Sequence, residues 1–172
     1  MSSTESVSTV ILFQDDHLLV VDKPPGIPVQ VDRTGDPSLQ QQVQALFPAG
    51  SVDIGSPHRL DRPVSGVVVF TKSIEALRGM DEIFRRAAVE KTYLAIVEGR
   101  TPEKGECNHV LGHAGGSRKA KVLEGGDTQG RNAELRFTTT TIGDRFSLWE
   151  VRPKGGAFHK IRAQLAAIGH PI

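Results

Sequence analysis

At 172 residues the chain is long enough for one domain to bury a core unaided, and its single cysteine, Cys107, excludes a disulfide framework and a cysteine-built zinc site. The polar start MSSTESVST and the lack of any apolar run of spanning length argue against a signal peptide or membrane segment and predict a cytoplasmic protein. Net charge is only +1 but polarised: residues 1–57 carry two bases against seven acids and the remainder nineteen against thirteen, which suits either a basic nucleic-acid surface or an ordinary solvated one.

Residues 1–8 are expected to be disordered, and residues 9–172 to form one domain. VILFQ and HLLVVD are rich in β-branched and aliphatic residues and predict two strands joined at Asp15-Asp16. In KPPGIPV, Pro24, Pro25, Gly26 and Pro28 exclude a regular helix or central strand and require an extended surface loop. Asp36 as N-cap, Pro37 at the first helical position, and Leu39, Val43 and Leu46 on one face predict a short helix stopped by Pro48.

GVVVFT reads as a buried strand, after which Ser73 caps a helix whose Ile74, Leu77, Phe84 and Ala87 share a face. KTYLAIVEG predicts another strand, ended by Gly99. Residues 101–132 are polar and Gly-rich, with short extended pieces in NHVLGH and KAKVLE. AELRFTTTT and RFSLWEV, joined at Gly143-Asp144, predict a hairpin with Leu135, Phe137 and Leu148 turned inward. From Phe158 onward a helix places Ile161, Leu165 and Ile168 on one side and stops at Gly169. Strands without strict βαβ alternation predict an α+β fold, a mixed, largely antiparallel sheet flanked by helices.

The segment HRLDRPVSG concentrates His58, Arg59, Asp61 and Arg62 just ahead of a strand. Arginines beside Asp61 favour its ionised form and suit a nucleophile or base, although a loop salt bridge accounts for the same composition. No phosphate-cradling GxxxxGK loop or GxSxG elbow is present. His109 and His113 lack a third ligand, so no metal site is expected. Arg118, Lys119 and Lys121 in GGSRKAK suit a nucleic-acid backbone or a solvated loop.

KPPGIPV, HRLDRPVSG with its strand, KTYLAIVEG and FHKIRAQLAAIGHPI resemble, in order, the successive motifs of RNA pseudouridine synthases of the RluA-like family. The resemblance spans about Phe13 to Ile172 and implies that family's catalytic fold. It implies an isomerase converting a uridine of ribosomal or transfer RNA to pseudouridine, without cofactor or metal. Asp61 matches the catalytic aspartate, Tyr93 the tyrosine that stacks on the base, and Arg162 the arginine that pairs with the carboxylate. His58, Arg59, Arg62, His159, Lys160, Arg118, Lys119 and Lys121 are expected at the substrate, Arg59 and Arg62 serving phosphates or, for Arg59, the space of an extruded base.

The chain departs from the family at Val64, where threonine is usual, and at Lys160, where glutamine is usual. Residues 155–158 also lack the threonine-glycine-arginine-threonine pattern. It ends at His170-Pro171-Ile172, where relatives continue into further strands, so the expectation is a C-terminally truncated catalytic domain with uncovered apolar surface. The rival expectation is a catalytically inactive RNA-binding remnant of the same family.

Overall fold

The computed structural model describes residues 10–113, 120–123, 130–155 and 160–172. The chain forms two compact units that meet in sequence between Arg86 and Ala87. Every strand pairing among the described residues is antiparallel, and the fold is α+β.

The first unit opens with β1 (Val10–Gln14) and β2 (Leu18–Lys23), joined at Asp15, whose Oδ1 accepts the His17 and Leu18 amides at 2.8 and 2.7 Å. A six-residue helix, α1 (Leu39–Gln44), follows the proline-rich loop. Its N-cap is Ser38 rather than Asp36: the Ser38 hydroxyl accepts the Gln41 amide while the Gln41 side chain accepts from Ser38, a reciprocal capping box. The Leu39 and Gln40 amides donate to the Pro28 and Val29 carbonyls, so the loop itself satisfies two helix-end donors. Leu39 and Val43 are buried as expected, but Leu46 lies beyond the helix and is exposed.

β3 (Gly66–Thr71) completes the sheet in the order β1-β2-β3. Its apolar run is half-buried, not fully buried: Val68 and Phe70 enter the core while Val67 faces solvent, because only one face of this antiparallel sheet is covered. Leu19, Val21, Val68 and Phe70 pack with Leu39 and Val43, each large aliphatic side chain worth about 1.5–3 kcal/mol on full burial. Ser73 does cap α2 (Ile74–Arg85). No α2 residue is fully buried; Ile74 is exposed, and Ala87 falls outside the helix at a positive φ of 53°.

The second unit is a five-stranded sheet ordered β4-β8-β7-β5-β6, built from β4 (Tyr93–Glu98), β5 (Lys104–His113), β6 (Ala120–Val122), β7 (Arg131–Ile142) and β8 (Phe146–Lys154). Gly99, at φ +87°, ends β4. β7 and β8 form the expected hairpin at Gly143, and Leu135 and Phe137 do face inward. Leu148 does not: Ser147, Trp149 and Val151 take the inward face of β8, and the period-2 alternation puts Leu148 on the other. Trp149 is fully buried, stacks on Phe137 with ring centres 3.7 Å apart, and donates its indole N–H to Thr101 Oγ1 at 2.8 Å. Gly105 lies opposite Phe137, and a Cβ there would stand 2.6 Å from the ring. Only glycine admits that aromatic.

Helix α3 (Lys160–Ala167) packs on β5 and β6. Leu165 is buried, but Ile168 lies past the helix and is partly exposed; the buried positions are Lys160, Gln164 and Leu165. Gln164, fully buried, is placed for its amide nitrogen to donate to the Ala133 carbonyl at 2.8 Å and the Cys107 carbonyl at 3.2 Å. These bonds tie α3 to β5 and β7.

Candidate active site

Asp61 begins a turn closed by the Val64 amide donating to the Asp61 carbonyl at 3.0 Å. The segment before it is held by α1: Gln40 Nε2 donates to the Ile54 carbonyl at 2.7 Å, and Gln44 bonds Val52 and Ile54 through both ends of its amide. His58 continues that anchoring. Its Nε2 accepts the Val69 amide at 2.9 Å on the edge of β3 not paired to β2, and its ring stacks on Phe84 at 4.9 Å.

The next residue, Arg62, has its carbonyl gripped twice, by the Gly26 amide at 2.8 Å and the Lys23 ammonium at 3.1 Å. Lys23 is fully buried and also donates to the Pro24 and Ile27 carbonyls at 3.0 and 2.8 Å, which occupies all three of its protons. Burial lowers its pKa below the ordinary lysine value, the Arg62 charge adds to that, and the Asp61 carboxylate opposes it. Lys23 is thus a cation within electrostatic reach of Asp61 that motif reading missed. Its signal was available, since Leu19, Val21 and Lys23 alternate onto one inward face.

The side chain of Arg62 faces two carboxylates of the preceding loop. Its guanidinium pairs with Asp36 at 2.6 Å and Asp32 at 3.0 Å and donates to Thr34 Oγ1 at 2.5 Å. Asp32 is thereby lowered to about 2, chiefly by hydrogen bonds from Thr34 and then Arg62; Asp36 is lowered chiefly by Arg62. Asp36, expected to cap a helix, instead holds this arginine.

A cavity of about 150 Å³ opens between residues 28–32 and residues 59–62, with Arg59 and Asp61 in its lining. Pockets for drug-sized ligands run to roughly 300–1,000 Å³, and this space is smaller than that range. Asp61 is half-buried and Arg59 exposed there. A carboxylate fixed on a tied turn beside such a space can add to an electrophilic carbon or take a proton.

In the second unit Tyr93 is the first residue of β4, pairs with Val151 and is half-buried, alternating with the buried Ala95 and Val97. Arg162, in the first turn of α3, is exposed. Lys160 is buried and donates to the Lys154 carbonyl; burial lowers its pKa, with Lys91 and Lys154 assisting and Glu134 opposing. That bond turns its ammonium to the main chain at the end of β8. Lys121, in β6, is exposed. Arg118, Lys119 and His159 lie outside the described residues. Among the described residues no group of three or more His, Cys, Asp or Glu could hold a metal ion, and no helix is long and apolar enough to cross a membrane.

Residues 17–167, which contain Lys23, Asp61, Tyr93 and Arg162, match the RNA pseudouridylate synthase family. The chain belongs to that family. It is 33% identical over 171 residues to a tRNA pseudouridine synthase C of Haemophilus ducreyi, covering 94% of this chain and 70% of that protein. It is 30% identical over 178 residues to the ribosomal large subunit pseudouridine synthase C of Escherichia coli, covering all of this chain and 54% of that protein. Identity is also 30% over 167 residues to an uncharacterized RNA pseudouridine synthase, YhcT, of Bacillus subtilis, covering 94% of this chain and 55% of that protein. The chain therefore spans about half the length of several of the curated relatives it matches. Its fold resembles that of Human RNA Pseudouridylate Synthase Domain Containing 1, with TM-score 0.82 at 22% identity over 99% of this chain and 69% of that one. It also resembles Human RNA Pseudouridylate Synthase Domain Containing 4, with TM-score 0.76 at 24% identity over 95% of this chain and 66% of that one.

Proposed function

We propose that this chain acts as an RNA pseudouridine synthase, isomerising a uridine of transfer or ribosomal RNA in the cytoplasm. What supports the reading most is Asp61: in a member of this family, it stands on a turn tied at Val64 and Arg62, beside a cavity. In the reaction the bond from the ribose to uracil N1 breaks, the base turns, and a bond from the ribose to C5 replaces it while the C5 proton is lost and N1 gains one. Atoms and oxidation state balance, so the isomerisation calls for no oxidant or reductant.

Asp61 acts as the nucleophile or base of this sequence. The atoms attacked are inaccessible in a stacked helix, so the target uridine is extruded or lies in a loop. Arg59, exposed in the cavity lining, serves the phosphates or fills the gap left by the base. Tyr93 stacks on the base, Arg162 supplies a guanidinium to the reaction, and Lys121 follows the backbone.

The test is incubation of the purified chain with unmodified transcripts of transfer and large-subunit ribosomal RNA, followed by mapping of pseudouridine. Wild type is expected to form product, and Asp61→Asn to form none while binding RNA within about twofold of wild type. Product from Asp61→Asn would remove Asp61 from the chemistry; none from wild type would reject the activity.

A further inference from the structure

The cavity beside Asp61 is a gap between two stretches of chain, residues 28–32 and 59–62, that have no strand ladder to hold them at a fixed separation. Arg62 spans that gap at both of its ends. Its carbonyl is held by Lys23 and Gly26, and its guanidinium by Asp32, Thr34 and Asp36. Thr34 tightens the grip, since its hydroxyl lies 2.6 Å from Asp32 Oδ1 and 3.0 Å from Asp36 Oδ2, and its amide donates to Asp32 Oδ1 at 2.9 Å. Two carboxylates on one guanidinium compete with any phosphate for it.

We propose that Arg62 is a positioning residue, clamping the loop of residues 28–36 to the Asp61 turn and so setting the width of the cavity for the reacting base. The catalytic consequence rests on the reading of Asp61 as the reacting carboxylate. The clamp is partly exposed, and exposed ion pairs contribute little to global stability. Its effect is therefore expected in the geometry of the reacting groups, where small displacements carry large rate penalties.

The experiment compares Arg62→Met, Arg62→Lys and the double variant Asp32→Asn/Asp36→Asn with wild type, using an unmodified transcript that wild type modifies. Arg62→Met and the acid pair are each expected to lower kcat by roughly 10–100-fold with little change in KM. Arg62→Lys, which keeps the charge but lacks the planar fork, is expected to recover little of that loss. Adding Arg62→Met to the acid-pair variant is expected to cost almost nothing more, because the same clamp is already broken. The salt dependence of RNA binding is expected to be unchanged, whereas a lost phosphate ligand would lower its slope by about 0.7–0.9.

Unchanged kcat in both variants, or a loss confined to RNA affinity with a lowered salt slope, overturns the proposal. A second readout needs no activity: trypsin nicking after Arg33, inside the clamped loop, is expected to be at least about tenfold faster in Arg62→Met than in wild type. Unchanged nicking rejects the clamp even if the chain is an active synthase. Accelerated nicking in a chain that forms no pseudouridine in any transcript upholds the clamp and rejects the functional reading on which its catalytic role rests.

Discussion

Lys23 and Arg62, 39 residues apart in the chain, are joined by a 3.1 Å hydrogen bond from a fully buried ammonium to a main-chain carbonyl. The bond ties the end of β2 to the turn that carries Asp61, and the same ammonium holds the proline-rich loop through Pro24 and Ile27.

Lys23→Met keeps the apolar stem but leaves three carbonyls without this donor. Because an orphaned buried acceptor costs about 1–3 kcal/mol, and the Arg62 carbonyl keeps its bond from Gly26, a loss of roughly 2–4 kcal/mol is expected. Urea denaturation measures it; a loss below about 1 kcal/mol would mean the lysine is dispensable to this turn.

The acid pair on Arg62 makes a pH prediction. Asp32 titrates near 2 in the folded chain against 3.8 ordinarily, so the folded state binds this proton more weakly than the unfolded one. The stabilising contribution is present in full above 3.8 and is lost as pH falls through about 2. Carboxyl-carbon NMR should find Asp32 still ionised at pH 3, and replacement of Arg62 by Met should raise its titration point; an Asp32 that titrates at its ordinary value in wild type contradicts the geometry.

His58 serves as a partner for β3, so its removal should register in the backbone. His58→Ala is expected to cost about 1–3 kcal/mol by orphaning the Val69 amide. Hydrogen exchange at Val69 should accelerate at the same time, and unaltered exchange there would show that this bond is not what protects the amide.

In the second unit, Thr101→Val removes the oxygen that accepts the Trp149 indole N–H at a fully buried position. A loss of about 1–3 kcal/mol is expected, with a shift in tryptophan fluorescence from the changed polarity at the ring. Equal stability of the variant would mean that the indole finds another acceptor.

Elements whose causes are local were legible from the residues alone. Ser73 caps α2, Gly99 ends β4, Gly143 turns the last hairpin, and the alternation in AELRF turns Leu135 and Phe137 inward. Dihedral preference and side-chain period act over a few residues and need no partner. The ordered motifs likewise sufficed to indicate the family that residues 17–167 match.

Long-range partners were not legible in this way, because a charge or polar group chooses its partner from whatever folding brings within about 3 Å of it. Asp36 is both a plausible helix cap and a plausible ion-pair partner, and only the approach of Arg62, 26 residues away, made it the second while Ser38 became the cap. The burial of Lys160 against the Lys154 carbonyl has no local signal in the chain, and Trp149 rather than Leu148 takes the inward face of β8 because sheet pairing selects the register.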